Sequence, residues 1–376
     1  MGCCEKKKPD QLIEKDSSVN DNKDSELVSV KISYSDFEPL KLLGTGAFGK
    51  VLLVRYISND KLYAMKVLSK SQLKLKKQEE HSKNERDLMV KLNNPFIINI
   101  KFAFQDESKL YIVSEFMQGG DMFYHIHHST INMTEDTVKF YIIELILGIE
   151  FLHKNNVIFR DLKPENILMD AEGHIKISDF GLSKILENPK DKAYTLCGTT
   201  KYLAPEILKN RGYDKSVDWW SLGCIYYEML TGKIPFKIKN NKIDLSVFEE
   251  KINFKENMNP LIIDLINRLL EINPKKRIGY GENDSKQIKE HKYFSDVDWN
   301  KYMNKEIEPP FIPGFEGEQD LKYFDKMFTD EPVNSNRTTI MSRSNATSEY
   351  NGFTYTAQSV EKDIIEIAKN DEEQNL

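Results

Sequence analysis

Three side chains that could meet at a metal-bound phosphate stand in a short span of this chain: Asp161 and Asn166 in IFRDLKPENILMD, and Asp179 in ISDFGLSK. Each sits on a short turn between apolar runs, where loops can aim side chains at one point. Carboxylate and amide oxygens are hard ligands, suited to a hard cation and the phosphate it bridges. Farther upstream, LLGTGAFGKVLLV supplies Gly44, Gly46 and Gly49 between two apolar runs. A backbone without side chains can turn sharply there and bring its amides up to phosphate. A dinucleotide-binding turn would lead straight into a helix. Here Val51, Leu52, Leu53 and Val54 continue as a β-branched and aliphatic run, which predicts a hairpin folded over a nucleotide.

The elements that must hold these groups are legible as patterns. TVKFYIIELILGIEFLHK is apolar almost throughout and reads as a buried core helix, while EEHSKNERDLMVKL is helical, charged and apolar on one face. The chain of 376 residues, 40% hydrophobic and 30% charged, has the composition of a soluble protein able to bury a sizeable core. A net charge of -6, with both signs interspersed, argues against a nucleic-acid partner. The four cysteines, Cys3, Cys4, Cys197 and Cys224, have neither metal-site nor disulfide spacing, and no signal peptide or long apolar span is present. A reduced, cytoplasmic setting fits. The N-terminus, MGCCEKKK, sets an acylatable Gly2 beside Cys3, Cys4 and a basic run, the two-signal arrangement of a membrane anchor, although Lys6 stands where the acylation pattern wants Ser or Thr. Residues 9–30 read as a polar linker.

Taken together, the DLKPEN turn, DFG, the closing APE and the glycine hairpin, in this order, resemble a protein kinase, and DLKPEN resembles the Ser/Thr class. The resemblance implies an α+β, bilobal fold with ATP and Mg²⁺ between a β-rich small lobe and a mainly helical large lobe. Asp161 then accepts the substrate hydroxyl proton, Lys163 steadies the transferring phosphoryl group, and Asn166 and Asp179 hold the metal. Lys66 in YAMK contacts the α and β phosphates. Its partner is expected to be Glu85 rather than Glu79 or Glu80, because Glu85 lies ahead of the apolar Leu88, Met89 and Leu92. Leu43, Gly44, Gly46, Gly49, Val51, Ala64, Lys66, Ser114, Glu115, Met117, Asp121 and Phe324 are the implied nucleotide contacts. Ser114 stands at the gatekeeper position, where its small size leaves room behind the adenine. Phe159 replaces the usual His or Tyr.

PPFIPGF and YFDKMF are similar to the C-terminal tail of the AGC group, and PVNSN and YNGFTY to motifs of its ribosomal S6 kinase and Akt-like branch. A cyclic-AMP-dependent-type subunit is the near alternative. This resemblance implies regulatory phosphates on Thr195, Ser335 and Thr354 placed by an upstream kinase, with His81, Arg160 and Lys184 receiving the first. It implies also that Tyr350, Phe353 and Tyr355 dock beside the Glu85 helix. Asp121, Glu165 and Glu228 match positions that read basic residues preceding the phosphoacceptor, Thr199 the residue that holds Asp161, and Arg277 the partner of Glu206. Thr200 and Lys201 replace the group's usual Pro and Glu. Cys197 reads as a packed thiol near the site. The expected organisation is an N-terminal arm over 1–36, a kinase domain over 37–294 divided near 117, and a regulatory tail over 295–376. A monomer suffices. The rival reading is a kinase-fold scaffold without chemistry, a pseudokinase.

Overall fold

A computed structural model describes residues 32–46, 49–188, 191–236, 245–333 and 350–360. Gly2, Cys3, Cys4 and Ser335 lie outside them, as does the chain beyond 360. The small lobe is an antiparallel sheet of β1 (Phe37–Thr45), β2 (Gly49–Tyr56), β3 (Leu62–Ser69), β4 (Ile100–Gln105) and β5 (Lys109–Glu115), joined by β10 (Tyr355–Thr356), in the order β1-β2-β3-β5-β4-β10. Alternation along β3 buries Tyr63, Met65 and Val67 on one face, which leaves Ala64 and Lys66 together on the other. The buried face is closed by an aromatic cluster in which Phe37 and Tyr56 pack around Phe102 at centroid distances of 5.3 and 4.9 Å. The hairpin expected over the nucleotide forms from β1 and β2, with register shifts on either side of Leu42. Gly46 and Gly49 close its turn through a 2.8 Å backbone bond.

Helix α1 (Lys70–Leu75) leads into α2 (Glu79–Lys91), whose buried residues Ser82, Glu85, Leu88 and Met89 recur at helical spacing. The carboxylate of Glu85 is therefore carried inward on an otherwise small or apolar face.

The large lobe runs from α3 (Met122–His127) and α4 (Glu135–Lys154) through β6 (Val157–Ile158), β7 (Ile167–Met169), β8 (Ile175–Ile177) and β9 (Lys184–Ile185) to α5 (Pro205–Leu208), α6 (Ser216–Thr231), α7 (Pro260–Leu269) and α8 (Asp284–Lys289). Short helices α9 (Trp299–Met303) and α10 (Lys326–Thr329) belong to the C-terminal part. Thr134 caps α4, its hydroxyl accepting from the Thr137 amide, and Glu135 and Asp136 in the first turn suit the helix dipole. α4 packs on α6, where Trp219, Trp220 and Leu222 are fully buried. Two small antiparallel two-stranded sheets, β6 with β9 and β7 with β8, carry the polar loops out of this core.

One buried ion pair ties the APE turn to the lobe. Arg277 reaches both oxygens of Glu206, at 2.6 and 3.0 Å, donates to the Ser216 carbonyl, and lies over the Trp220 ring. Removing one partner leaves the other charge buried and unpaired. Arg277→Ala is expected to cost about 3–5 kcal/mol in urea unfolding, and a joint Arg277→Met, Glu206→Leu replacement to recover much of that loss.

Candidate active site

Asp161 is placed from below by α6. Asp218, with no solvent exposure, accepts the Phe159 amide at 2.8 Å and the Arg160 amide at 2.9 Å, and so holds the loop after β6 while Arg160 adopts a left-handed φ of 70°. The Phe159 ring packs edge-on against Phe180, so the loop keeps its aromatic anchor without a polar atom. Four donors then converge on the Asp161 carboxylate. Thr199 donates its amide and hydroxyl to one oxygen at 2.9 and 2.8 Å; Lys163 and the Asn166 amide nitrogen donate to the other at 2.9 and 3.2 Å. Lys163 also donates to the Thr199 hydroxyl oxygen. Thr199 comes this close because Gly198, at φ 104°, lets the chain pass against the Arg160 carbonyl, where a Cβ would clash.

Lys66 bridges the lobes. Its ammonium lies 2.6 Å from Glu85 and 3.1 Å from Asp179. Burial works against its charge, yet Asp179 and Glu85 hold it above the ordinary lysine range; Lys66 in turn pulls the Asp179 carboxyl below its usual range. Asp179 itself is left-handed, at φ 66°. Because the Asn166 nitrogen is spent on Asp161, its amide oxygen is the atom left for a cation. That oxygen and the Asp179 carboxylate form a hard, two-ligand set. Mg²⁺ fits it, since this ion keeps waters and substrate phosphates as its other ligands. Among the described residues no cluster of three or more His, Cys, Asp or Glu gathers elsewhere to hold a metal.

Leu43, Gly44, Val51, Ala64, Lys66, Ser114, Glu115, Met117, Asp121 and Phe324 all line one cavity of about 320 Å³, bounded by Asn166 and Asp179 at its inner end. Gly46 and Gly49 line an adjoining space of about 290 Å³ with Lys66, Asp161, Asp179 and His81. Gly44 faces open space, and a Cβ at Gly46 would meet nothing nearer than the Gly49 carbonyl at 4.0 Å, as a phosphate approach requires. Gly49 has a second reason to be glycine, because a Cβ there would run into the Val67 carbonyl of β3. Phe324 reaches the cavity from the C-terminal segment, stacked on Phe116, and Gln118 and Tyr124 donate to carbonyls of Gly317 and Lys322 on that segment.

The expected regulatory and substrate groups are arranged less completely. Thr195 is exposed, and its carbonyl accepts the Tyr213 hydroxyl, which also receives Arg160. Among the described residues His81, Arg160 and Lys184 make no hydrogen bond to the Thr195 side chain. Thr354 is exposed too. Beside it Tyr350 and Phe353 are buried against α2, where Arg86 donates to the Gly352 carbonyl at 2.7 Å and its guanidinium covers the Phe353 ring. Tyr355 adds β10 to the edge of β4. Asp121 caps α3, and burial, with Glu165 adding to it, pushes its carboxyl up to about 6. Glu165 is exposed. Glu228 is not: both its oxygens already have partners, Tyr202 and His127.

Sequence patterns missed a buried pin behind the cavity. Lys176 on β8 donates to both oxygens of Glu115 at 2.7 and 2.8 Å, and so ties the end of β5 to the strand that precedes Asp179. A lysine inside the apolar run HIKIS was the available signal.

The protein kinase domain family matches residues 37–294, and the protein kinase C terminal domain family matches residues 316–355. Human ribosomal protein S6 kinase alpha-3 is 46% identical over 303 residues, 80% of this chain and 41% of the relative. The RAC family serine/threonine-protein kinase homolog of Dictyostelium discoideum is 42% identical, over 88% of this chain and 74% of its own length. Serine/threonine-protein kinase AtPK2/AtPK19 of Arabidopsis thaliana is 39% identical, over 90% and 72%. The chain thus spans about two fifths of the ribosomal S6 kinases it matches.

The support beneath Asp161 depends on pH. Fully buried His153 lies between Asp218 at 3.0 Å and Asp284 at 2.9 Å. Burial alone would lower its pKa, but the two carboxylates raise it to about 9. A raised folded-state pKa stabilises fully below the unfolded value of about 6.5, and the gain is lost as pH climbs through about 9. Urea midpoints at pH 6.5 and 9.5 are expected to drop more for the parent than for His153→Gln, which lacks the titrating group.

Proposed function

We propose, from the premise that this chain belongs to the protein kinase family and carries the C-terminal segment of its AGC group, that it transfers the γ-phosphoryl group of ATP to Ser or Thr hydroxyls of proteins. The observation that carries this reading is the convergence of Thr199, Lys163 and Asn166 on Asp161, across the cleft from the Lys66, Glu85 and Asp179 cluster. Asp161 orients the incoming hydroxyl and accepts its proton, while Lys163, held against both Asp161 and Thr199, steadies charge on the transferring group. Lys66, kept cationic by its two carboxylates, positions the α and β phosphates. Mg²⁺ held by Asn166 and Asp179 would neutralise the phosphate oxygens. The hinge around Glu115 and Met117 and the Phe324 ring enclose the base, and Ser114 leaves space behind it for bulky adenine mimics. A scaffold without chemistry would not need the Lys163 and Thr199 grip on Asp161, so the pseudokinase reading has no support in this geometry.

The finer reading follows the charges. Exposed Glu165, with Asp121 and Glu228 near it, favours substrates with basic residues before the phosphoacceptor. An upstream kinase would switch the enzyme through Thr195 and Thr354, with Ser335 as a third site. Phosphate on Thr195 would add about -1.5 to -2 charges beside Arg160, Lys184 and His81. Acylation at Gly2, Cys3 or Cys4 would draw a cytoplasmic monomer to membrane surfaces.

The test is radiolabelled phosphate transfer from Mg-ATP to an arginine-containing serine peptide after treatment with an activating kinase. Asp161→Asn is expected to lose about 10²–10⁴-fold in kcat. Thr195→Ala and Thr354→Ala are expected to lose part of the activity, and replacing the arginines to raise KM. No transfer from the parent, with phosphate on both threonines and ATP bound, would overturn the enzyme reading.

A further inference from the structure

Glu228, near the C-terminal end of α6, is a buried acid both of whose oxygens have a partner. Its Oε2 accepts the Tyr202 hydroxyl at 2.8 Å, and Oε1 lies 3.3 Å from His127 Nε2. The two partners differ in kind. Tyr202 is 4% exposed and its hydrogen bond to Glu228 is buried. The His127 side chain is 35% exposed, at the last turn of α3, with its ring against Phe123 at a centroid distance of 4.2 Å. Glu228 itself is 3% exposed. Of the two partners His127 is the exposed one, the group that a cation arriving from solvent would displace. A guanidinium grips a carboxylate best through two oxygens, so a partner on Oε1 weakens that grip as well as blocking the way.

We propose that His127 is a specificity-determining residue, a built-in competitor that occupies Glu228 and sets how strongly a substrate arginine is preferred at the position Glu228 reads. The inference rests on the proposed preference for basic residues. With His127 in place, exposed Glu165 and half-buried Asp121 take the first share of substrate charge, and Glu228 engages only an arginine able to displace the imidazole. Glu165 acts electrostatically on both other acids, so all three belong to one field, and His127 is the exposed partner of Glu228 that can be removed without touching a carboxylate.

The experiment measures kcat/KM on a serine peptide series in which one arginine is walked through each preceding position, each paired with its citrulline isostere, for the parent, His127→Ala, Glu228→Gln and the double variant. His127→Ala is expected to raise the arginine-to-citrulline ratio at one position by about 1.5- to fivefold, the scale of an exposed ion contact. With Glu228→Gln the same substitution is expected to change nothing. His127→Gln, which keeps a hydrogen-bond donor, should fall between. An unchanged ratio in His127→Ala, or an equal rise with Glu228→Gln present, would overturn the proposal. A parent that prefers arginine while His127→Ala leaves the ratio alone sinks only this inference; ratios of one in every form sink the basic-substrate reading with it.

Discussion

Asp218 is an acid without solvent exposure whose two oxygens accept the Phe159 and Arg160 amides, and the geometry of the cleft rests on those two bonds. Arg160 is held in a left-handed conformation that costs a non-glycine residue on the order of 1–3 kcal/mol. Without that local twist the next residue, Asp161, would leave the grip of Thr199 and Lys163. The core invests accordingly. Asp218 rides on α6 among fully buried tryptophans, and His153 supplies the cation that makes a buried carboxylate tolerable there. Rigid packing thus becomes the placement of one oxygen pair.

The small lobe solves a different problem, because its critical lysine must be positioned by a helix that lies outside the sheet. α2 carries Glu85 on one side, and on the other Arg86 meets the C-terminal segment at Gly352 and Phe353. Burial of a side chain such as Phe353 contributes about 1.5–3 kcal/mol, enough to bias where the helix rests. Contacts made by residues far apart in the chain therefore act on Lys66 through a single helix.

Much of this was legible before any coordinates. Asp161, Asn166 and Asp179 stood out as polar turns between apolar runs, and helical spacing was enough to choose Glu85 over Glu79 and Glu80. The near-continuous apolar run of α4 correctly marked a core helix. What escaped were contacts between side chains that share no local period. Lys176 with Glu115, His127 with Glu228 and His153 with Asp284 are pairings across folded distance. Gly49 was read as making way for phosphate, and the packing of β2 on β3 demands it as well. The present partners of Arg160, one of the cations expected to receive a phosphate on Thr195, were likewise beyond pattern: it donates to the carbonyls of Leu182 and Ser183 and to Tyr213.

The short strand β10 has a consequence unrelated to chemistry. Tyr355 and Thr356 pair with Ala103 and Phe102, and the Ala357 amide donates to the Lys101 carbonyl at 2.8 Å. They occupy the outer hydrogen-bonding row of β4, an edge whose inner residues are apolar. An edge of that kind, left open, is a template for pairing with another chain. The C-terminal segment thus also covers part of an open edge, and it does so with the same stretch that packs on α2.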